Sequence, residues 1–437
     1  MAATIIVVLT LGFTLYAVES ATFVSLGGYS QLQLMPVADS LMQNFILSAG
    51  APSDWGSNLS VSANQLQSFG LAAAWPNAGA YSLDPNKLNR IINTTFVRND
   101  YYIPPSVVGK LLGIYQNNHF IYGFDFRLIP ALNITLNQIA SNSTMTLYQI
   151  NVTDYTGQPA VNAHVKVSQI SFCSVIIGNN NNVPISFGAN SSTNQGVTDI
   201  NGSISVYVYN PSATCQASNG QEKVEIANVT AVSASFYGLQ FESLFGINAC
   251  KAQMMIQGQL LIANFTGSSK SGACANLSAD IKSNQNNNNG AVFPVFTSFQ
   301  VTSDLNIILN PVVNQSTGGQ CSLLNHGANN YCVYQLKYPV SSSTVFAGLI
   351  IVVNPGNGGS SGKEHTYFVV ASNPSTPNCI IEYTSNSLVT SQSVNTCGPS
   401  YNSLKIAQVQ SAVTITRFVT IGINTWYATL TVWRMGS

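Results

Sequence analysis

Leu147-Tyr-Gln-Ile-Asn-Val-Thr-Asp-Tyr-Thr-Gly157 is the stretch on which the reading of this chain turns. From Tyr148 the side chains alternate apolar and polar, the period of a strand with one buried face, and Asp154 to Gly157 is a turn. Ala163-His-Val-Lys-Val167 follows as the next strand. A second turn, Gly196-Val-Thr-Asp-Ile-Asn-Gly-Ser203, leads into Ile204-Ser-Val-Tyr-Val-Tyr209, and Val224 to Phe236 alternates again. Strands of this length between turn signals read as one β-sandwich over residues 145–246.

The two turns, Val152-Thr-Asp-Tyr-Thr-Gly-Gln-Pro159 and Thr198-Asp-Ile-Asn-Gly-Ser203, resemble recurrent turns of the immunoglobulin-like domains of cell-surface proteins. That resemblance implies a fold and carries no activity by itself.

Ahead of the sandwich, residues 29–144 read as a small α+β unit. Pro36 at a helix start, the apolar positions Val37, Leu41, Met42, Phe45 and Ile46, and Gly50 beyond the end predict one amphipathic helix. Leu83-Asp-Pro-Asn-Lys-Leu-Asn-Arg90 predicts a second, with Asp84 as its N-cap and Pro85 in its first turn, and Pro105 to Ile114 a third. Strand character follows in Phe124-Asp-Phe-Arg-Leu128 and over Leu132 to Leu136. Residues 247–437 read as a C-terminal β-rich domain. It closes on two strands, Ala412 to Ile421 and Thr425 to Trp433, that pair across Gly422-Ile-Asn424. The tracts 179–182, Ser283-Asn-Gln-Asn-Asn-Asn-Asn-Gly290 and Asn354-Pro-Gly-Asn-Gly-Gly-Ser-Ser-Gly362 read as loops.

At the other end, Ala2-Ala-Thr-Ile-Ile-Val-Val-Leu-Thr-Leu-Gly-Phe-Thr-Leu-Tyr-Ala-Val18 is uncharged, and the first 38 residues hold one charged side chain, Glu19. An apolar helix over 1–28, ending at Gly27-Gly28, needs a bilayer or a bundle of its own copies to bury it on all sides. Three readings fit. A secretory signal peptide calls for a basic n-region that is missing here, and a cut made before Met1 leaves the helix as a mature terminus. A membrane anchor fits the short edge of spanning length. An assembly helix buries Ile5, Ile6, Val7, Val8, Leu9, Leu11, Phe13 and Leu15 against neighbouring subunits.

The charged fraction is 7%, against about 25% in ordinary soluble chains. Polarity comes instead from Asn, Ser, Thr, Gln and Tyr. Such a surface changes little as carboxylates titrate, so stability is expected to vary weakly with pH and the exterior to suit acid. With 15 basic and 15 acidic residues, no basic stripe exists for nucleic acid.

Eight cysteines, Cys173, Cys215, Cys250, Cys274, Cys321, Cys332, Cys379 and Cys397, are even in number and lack CxxC spacing. They read as disulfides, with nearest-neighbour pairing closing four local loops. Asn58, Asn93, Asn133, Asn142, Asn151, Asn190, Asn201, Asn228, Asn264, Asn276 and Asn314 stand in sequons and are candidate glycan sites in an exported chain.

Catalytic constellations are scarce. His119, His164, His326 and His365 fall in no metal or haem motif. Asn357-Gly-Gly-Ser-Ser-Gly-Lys363 fails as a phosphate loop at its first position and at Glu364. Lys363-Glu364-His365 reads as a solvated strand entrance. Asp84, Asp154 and Asp199 read as cap or turn residues. The expectation is a protein without enzymatic activity, metal or cofactor. Its tyrosines and tryptophans either fill a β core or line a surface for carbohydrate.

The N-terminal third resembles an archaeal type IV pilin. It opens with small residues and Thr-Ile-Ile-Val-Val, as the mature family does, and three short segments follow in the family's order. They are Leu47-Ser-Ala-Gly-Ala-Pro-Ser-Asp-Trp55, Phe69-Gly-Leu-Ala72 and Leu83-Asp-Pro-Asn-Lys-Leu-Asn-Arg90. The likeness covers the N-terminal third and the closing strand pair. Bacterial relatives carry a glutamate near the start of the mature helix; here the one acid is Glu19, so no terminal ion-pair role is carried over.

The resemblance implies an α+β, mostly β chain. A long hydrophobic N-terminal helix precedes a small α+β unit and immunoglobulin-like sandwiches. It implies a structural subunit of an extracellular type IV pilus-like filament, membrane-embedded before assembly and serving adhesion. Its partners are then copies of itself in a helical homopolymer, the pilus assembly machinery and a surface or cell ligand. The alternative is a membrane-anchored surface protein that binds sugars or other solutes.

Overall fold

A computed structural model describes residues 33–58, 60–74, 79–92, 102–176, 186–211, 223–246, 253–257, 260–264, 297–302, 307–310, 331–335, 344–353, 365–372, 381–385 and 412–435. Between 253 and 372, and at 174–176, 186–188, 223–227 and 246, the structure describes the backbone alone. The expected apolar helix over 1–28, with Ile5 through Leu15, lies outside the described residues. So do the Asn-rich and Gly-rich tracts.

Helix α1 covers residues 33–47. Leu34, Ala38, Leu41, Met42, Phe45 and Ile46 are buried at helical spacing, and Val37 packs at the margin. Pro36 is not the first residue of this helix, which is already formed at Gln33; its exposed ring sits on the solvent side. Strand β1 (Ser82–Leu83) leads into α2 (Pro85–Ile91), whose first turn is capped by Asp84 accepting from the Asn86 N–H at 2.9 Å. After α3 (Pro105–Leu111) come a small hairpin, β2 (Tyr115–Gln116) and β3 (His119–Phe120), and the long strand β4 (Tyr122–Pro130).

One residue, Ala131, separates β4 from the next sheet. β5 (Leu132–Ser141), β6 (Met145–Asp154), β7 (His164–Ile176), β8 (Ser186–Val197), β9 (Ser203–Tyr209), β10 (Lys223–Phe236) and β11 (Leu239–Gly246) form two sheets. Their orders are β5-β6-β9 and β11-β10-β7-β8, and every pair is antiparallel. The stretch that opened the reading is β6, and its buried side chains alternate as Thr146, Tyr148, Ile150 and Val152.

Seven further strands follow: β12 (Gln253–Gln257), β13 (Leu260–Asn264), β14 (Thr297–Thr302), β15 (Ile307–Asn310), β16 (Tyr331–Gln335), β17 (Thr344–Val353) and β18 (His365–Ser372). They form sheets β12-β13-β16 and β15-β14-β17-β18, again antiparallel throughout. If the strands of each unit are lettered a to g, both units are a-b-e and g-f-c-d. The two units repeat one topology in tandem.

The chain then returns. β19 (Ile381–Thr384), β20 (Ala412–Ile421) and β21 (Asn424–Arg434) join the sheet β1-β20-β21-β4-β19, which packs on α1. Phe45 of α1 meets Phe124 and Phe126 of β4 at ring-centroid distances of 5.6 and 4.7 Å. The expected closing hairpin is present, with Gly422 at φ +61° in its turn.

The expected division at 144 falls inside the β5–β6 pair, whereas that at 246 falls at the end of β11, between the two seven-stranded units. The expected C-terminal domain is divided, because β19–β21 belong with β4, so the α+β unit is discontinuous and the two seven-stranded units are an insertion within it. Geometry permits this because Leu128, near the exit at Pro130, is the register partner of Ile381, at the re-entry. An insertion whose ends are neighbours leaves the host sheet unstretched.

The first sandwich and the host share one continuous core. β11 abuts one side of the β20–β21 hairpin end, where Phe241 lies edge-on to Trp426 with centroids 5.6 Å apart. The Glu242 N–H donates to Asn424 Oδ1 at 2.8 Å, and the Ala131 N–H to the Thr425 carbonyl at 3.0 Å. From the other side the Asp154–Gly157 turn places Tyr155 on Tyr427, with centroids at 4.0 Å.

The two turn glycines differ in what they need. Gly157 (φ +86°) faces open space, whereas a Cβ on Gly202 (φ +70°) would lie 2.5 Å from the Val152 carbonyl oxygen. Gly157→Ala is expected to cost about 1–2 kcal/mol from the left-handed backbone alone. Gly202→Ala is expected to cost clearly more. Calorimetric melting of the two variants checks the ranking.

Candidate functional site

The three segments that carry the N-terminal resemblance meet at the C-terminal end of α1. Trp55 is buried, and its indole N–H donates to the Gly70 carbonyl at 3.3 Å. Lys87 Nζ stands 5.9 Å and Arg90 Cζ 5.6 Å from the Trp55 ring centroid, within cation–π range. Both cations are fully buried and end on backbone carbonyls. Lys87 donates to Ala49 at 2.8 Å and Ala72 at 2.7 Å, and Arg90 to Trp55, to Val61 at 2.6 Å and to Asn58 at 3.5 Å.

Two positions in this clasp admit only glycine. A Cβ on Gly70 would collide with the Ser48 carbonyl, and one on Gly56 would lie 2.5 Å from Lys87 Cγ. Burial lowers the Lys87 pKa, opposed by the charges of Asp84 and Asp54; burial raises that of Asp84, opposed by Lys87 and by N–H donors. The clasp ties the loop after α1 to α2.

A second constellation lies on the opposite face of the five-stranded sheet. Arg127 Nη2 bridges Asp125 Oδ2 at 2.7 Å and Glu382 Oε1 at 3.0 Å, with both carboxylates nearly buried. Beside it run Thr416 with Thr429 (3.3 Å) and Thr414 with Thr431 (3.0 Å), one pair per register step. Trp433 covers one end, over Gly123, where a Cβ would run into the indole ring. Tyr427 and Phe418 occupy the other, with centroids 4.6 Å apart. Burial pushes the Asp125 carboxyl up to about 7; Arg127 opposes the rise and Glu382 adds to it.

None of these face residues was singled out from sequence. The available signal was Asp125 and Arg127 alternating with Phe124, Phe126 and Leu128 in a chain so poor in charge. Their partner Glu382 comes from 255 residues further on.

The residues singled out from sequence are scattered. Asp154 Oδ1 accepts from the Thr156 and Gln158 N–H groups at 2.8 and 3.0 Å, and Asp199 Oδ1 from those of Asn201 and Ser203 at 2.8 and 2.9 Å. Both are the turn residues expected. His119 and His164 are exposed at strand starts; His326, Lys363 and Glu364 lie outside the described residues, as does the His365 side chain.

Cys173 is buried in β7 and disulfide-bonded, and the side chains of the other seven cysteines lie outside the described residues. Among the sequons, Asn142, Asn190 and Asn201 are exposed, all on the first sandwich; Asn58, Asn133, Asn151 and Asn228 are half-buried. Asn93, Asn276, Asn314 and the Asn264 side chain lie outside the described residues. Among the described residues no group of three His, Cys, Asp or Glu side chains could hold a metal, and no helix is long and apolar enough to cross a membrane.

No protein-family model matches the chain, and no curated protein matches it. Among solved structures, MtrC from Shewanella baltica is 8% identical over 56% of this chain and 70% of its own, with a TM-score of 0.17. Red sea bream transglutaminase is 8% identical over 60% of this chain and 32% of its own, with a TM-score of 0.16. At these scores neither likeness carries an argument.

Lys87→Met removes the charge but leaves the Ala49 and Ala72 carbonyls without a donor, at about 1–3 kcal/mol each. Lower melting temperature and faster proteolysis within residues 48–58 are expected. For Asp125, the folded pKa of about 7 exceeds the ordinary 3.8, so between these values the folded chain holds a proton that the unfolded chain has released. Stability from this group therefore rises as pH falls across that window. Below it Asp199 works in the opposite sense. Hydrogen bonds from the Ser203 and Asn201 N–H groups lower its pKa, and that stabilisation is lost as it protonates. Melting curves are expected to show a rise from neutral to mildly acidic pH in the native chain and a flatter profile in Asp125→Asn.

Proposed function

We propose that this chain is a structural, non-enzymatic subunit of an extracellular type IV pilus-like filament. It polymerises through its N-terminal hydrophobic helix and carries immunoglobulin-like sandwiches on the outside. The observation that carries the reading is the meeting of the three resembling segments, distant in sequence, at the end of α1. α1 is the first described element after the proposed assembly helix over 1–28, and the clasp fixes its far end to the globular part.

The strand orders support the immunoglobulin-like part. Orders a-b-e and g-f-c-d differ from the constant-type sandwich only in that the fourth strand has changed sheets. Both sandwiches leave the host from β4 and return at β19, so they add bulk without interrupting α1.

Assembly rests on burial. Ile5, Ile6, Val7, Val8, Leu9, Leu11, Phe13 and Leu15 represent roughly 12–24 kcal/mol of gross transfer from water, at about 1.5–3 kcal/mol per side chain. Against lipid the gain is far smaller, so packing between helices and contacts between heads select the polymer.

The test is electron microscopy of material sheared from producing cells, with mass spectrometry of its dominant protein. Long uniform fibres made mainly of this chain are expected. Recovery in detergent-soluble membranes without fibres replaces this reading with a membrane-anchored solute- or sugar-binding protein. Val8→Asp is expected to abolish fibres while leaving the chain in the membrane fraction; fibres of normal length from that variant would refute the packing role.

A further inference from the structure

We propose that the outward face of the β20-β21-β4-β19 sheet binds a neutral saccharide. The sugar would stack on the strip Tyr155–Tyr427–Phe418, with its hydroxyls directed to Thr416, Thr429 and Arg127. Whether the filament adheres through this face rests on the function proposed above; the site itself does not depend on polymerisation.

Three rings from three separate segments form the strip. Tyr155 comes from the β6–β7 turn, Tyr427 from β21 and Phe418 from β20, with successive centroids 4.0 and 4.6 Å apart. Packing between the sandwich and the sheet accounts for Tyr155 on Tyr427. It does not account for Phe418, which is 53% exposed, nor for Tyr155 remaining 40% exposed. A sugar ring offers an apolar C–H face to such rings and a rim of hydroxyls that both donate and accept.

The rim would meet a matched row. Thr416 and Thr429 are one register step from Phe418 and Tyr427, and Arg127 follows as the partner of Thr429 on β4. One step of two residues is about 7 Å along a strand, close to the width of a sugar ring with its substituents. Thr416 is exposed, and the Arg127 side chain keeps 19% of its surface open, so both offer polar groups to a hydroxylated ligand.

Charge decides the class of sugar. Arg127 is compensated by Asp125 and Glu382, and Arg417 is directed to Asp39 of α1 at 3.4 Å. Among the described residues no uncompensated cation faces the row, so an acidic saccharide gains nothing there and repels the two carboxylates.

The experiment uses the full chain in detergent. Affinity electrophoresis against dextran, mannan, xylan and laminarin is run beside alginate and heparin, with Phe418→Ala and Tyr155→Ala as variants. Retardation by at least one neutral polysaccharide is expected, weakened at least about tenfold in Phe418→Ala with an unchanged melting temperature. The proposal is overturned by no retardation in any neutral gel, by binding undiminished in both variants, or by stronger retardation in alginate or heparin. Micrographs of the same preparations separate the two readings. Fibres without sugar binding refute this inference alone, and sugar binding without fibres refutes the filament alone.

Discussion

Two buried cations hold the host unit in place. Lys87 and Arg90 bring their charges into a protein interior, which is tolerable only where each donor finds an oxygen. They find backbone carbonyls, at Ala49, Ala72, Trp55 and Val61, and the loop between α1 and α2 is thereby fixed around Trp55. An apolar side chain could fill the same space but would leave those carbonyls unpaired. Charge is thus spent here on positioning the end of α1, in a chain that uses very little charge elsewhere.

The same economy governs the opposite side of the sheet. Asp125, Arg127 and Glu382 join β4 to β19 where the chain returns from its long insertion, and the sandwiches therefore hang from two adjacent strands. Threonine pairs continue the row toward β20 with neutral hydrogen bonds. Among the described residues a few of the charged side chains are nevertheless buried, and at one of them, Asp125, burial raises the pKa.

The insertion does not dilute the host, because the first sandwich is part of its core. Phe241 on Trp426, the Glu242 N–H on Asn424 and Tyr155 on Tyr427 grip the β20–β21 hairpin end from both sides. The aromatic strip exists because of this junction. Two rings meet where sandwich and sheet are joined, and Phe418 extends the row into solvent.

Local patterns in this chain specify local structure. The alternation in β6, the turns at Asp154 and Asp199, the Asp84-Pro85 helix start and the Gly422 hairpin each depend on residues a few positions apart, and all were legible; β10 is a strand as expected but is buried continuously over 229–232 rather than on one face. The mostly β character follows from them. What depended on partners distant in the chain was not legible: the exchange of β5 into the sandwich, the return of β19–β21 to β4, and the bridge from Arg127 to Glu382. The repeated strand order of the two sandwiches was equally hidden, since strand order is set by which hydrogen-bonding edges meet and leaves no mark on the period of two. The sequence by itself determined the elements, their turns and the scarcity of charge. Only the tertiary structure decided which strands share a sheet and which side chains face one another, because register and burial are properties of pairs that the linear chain keeps apart.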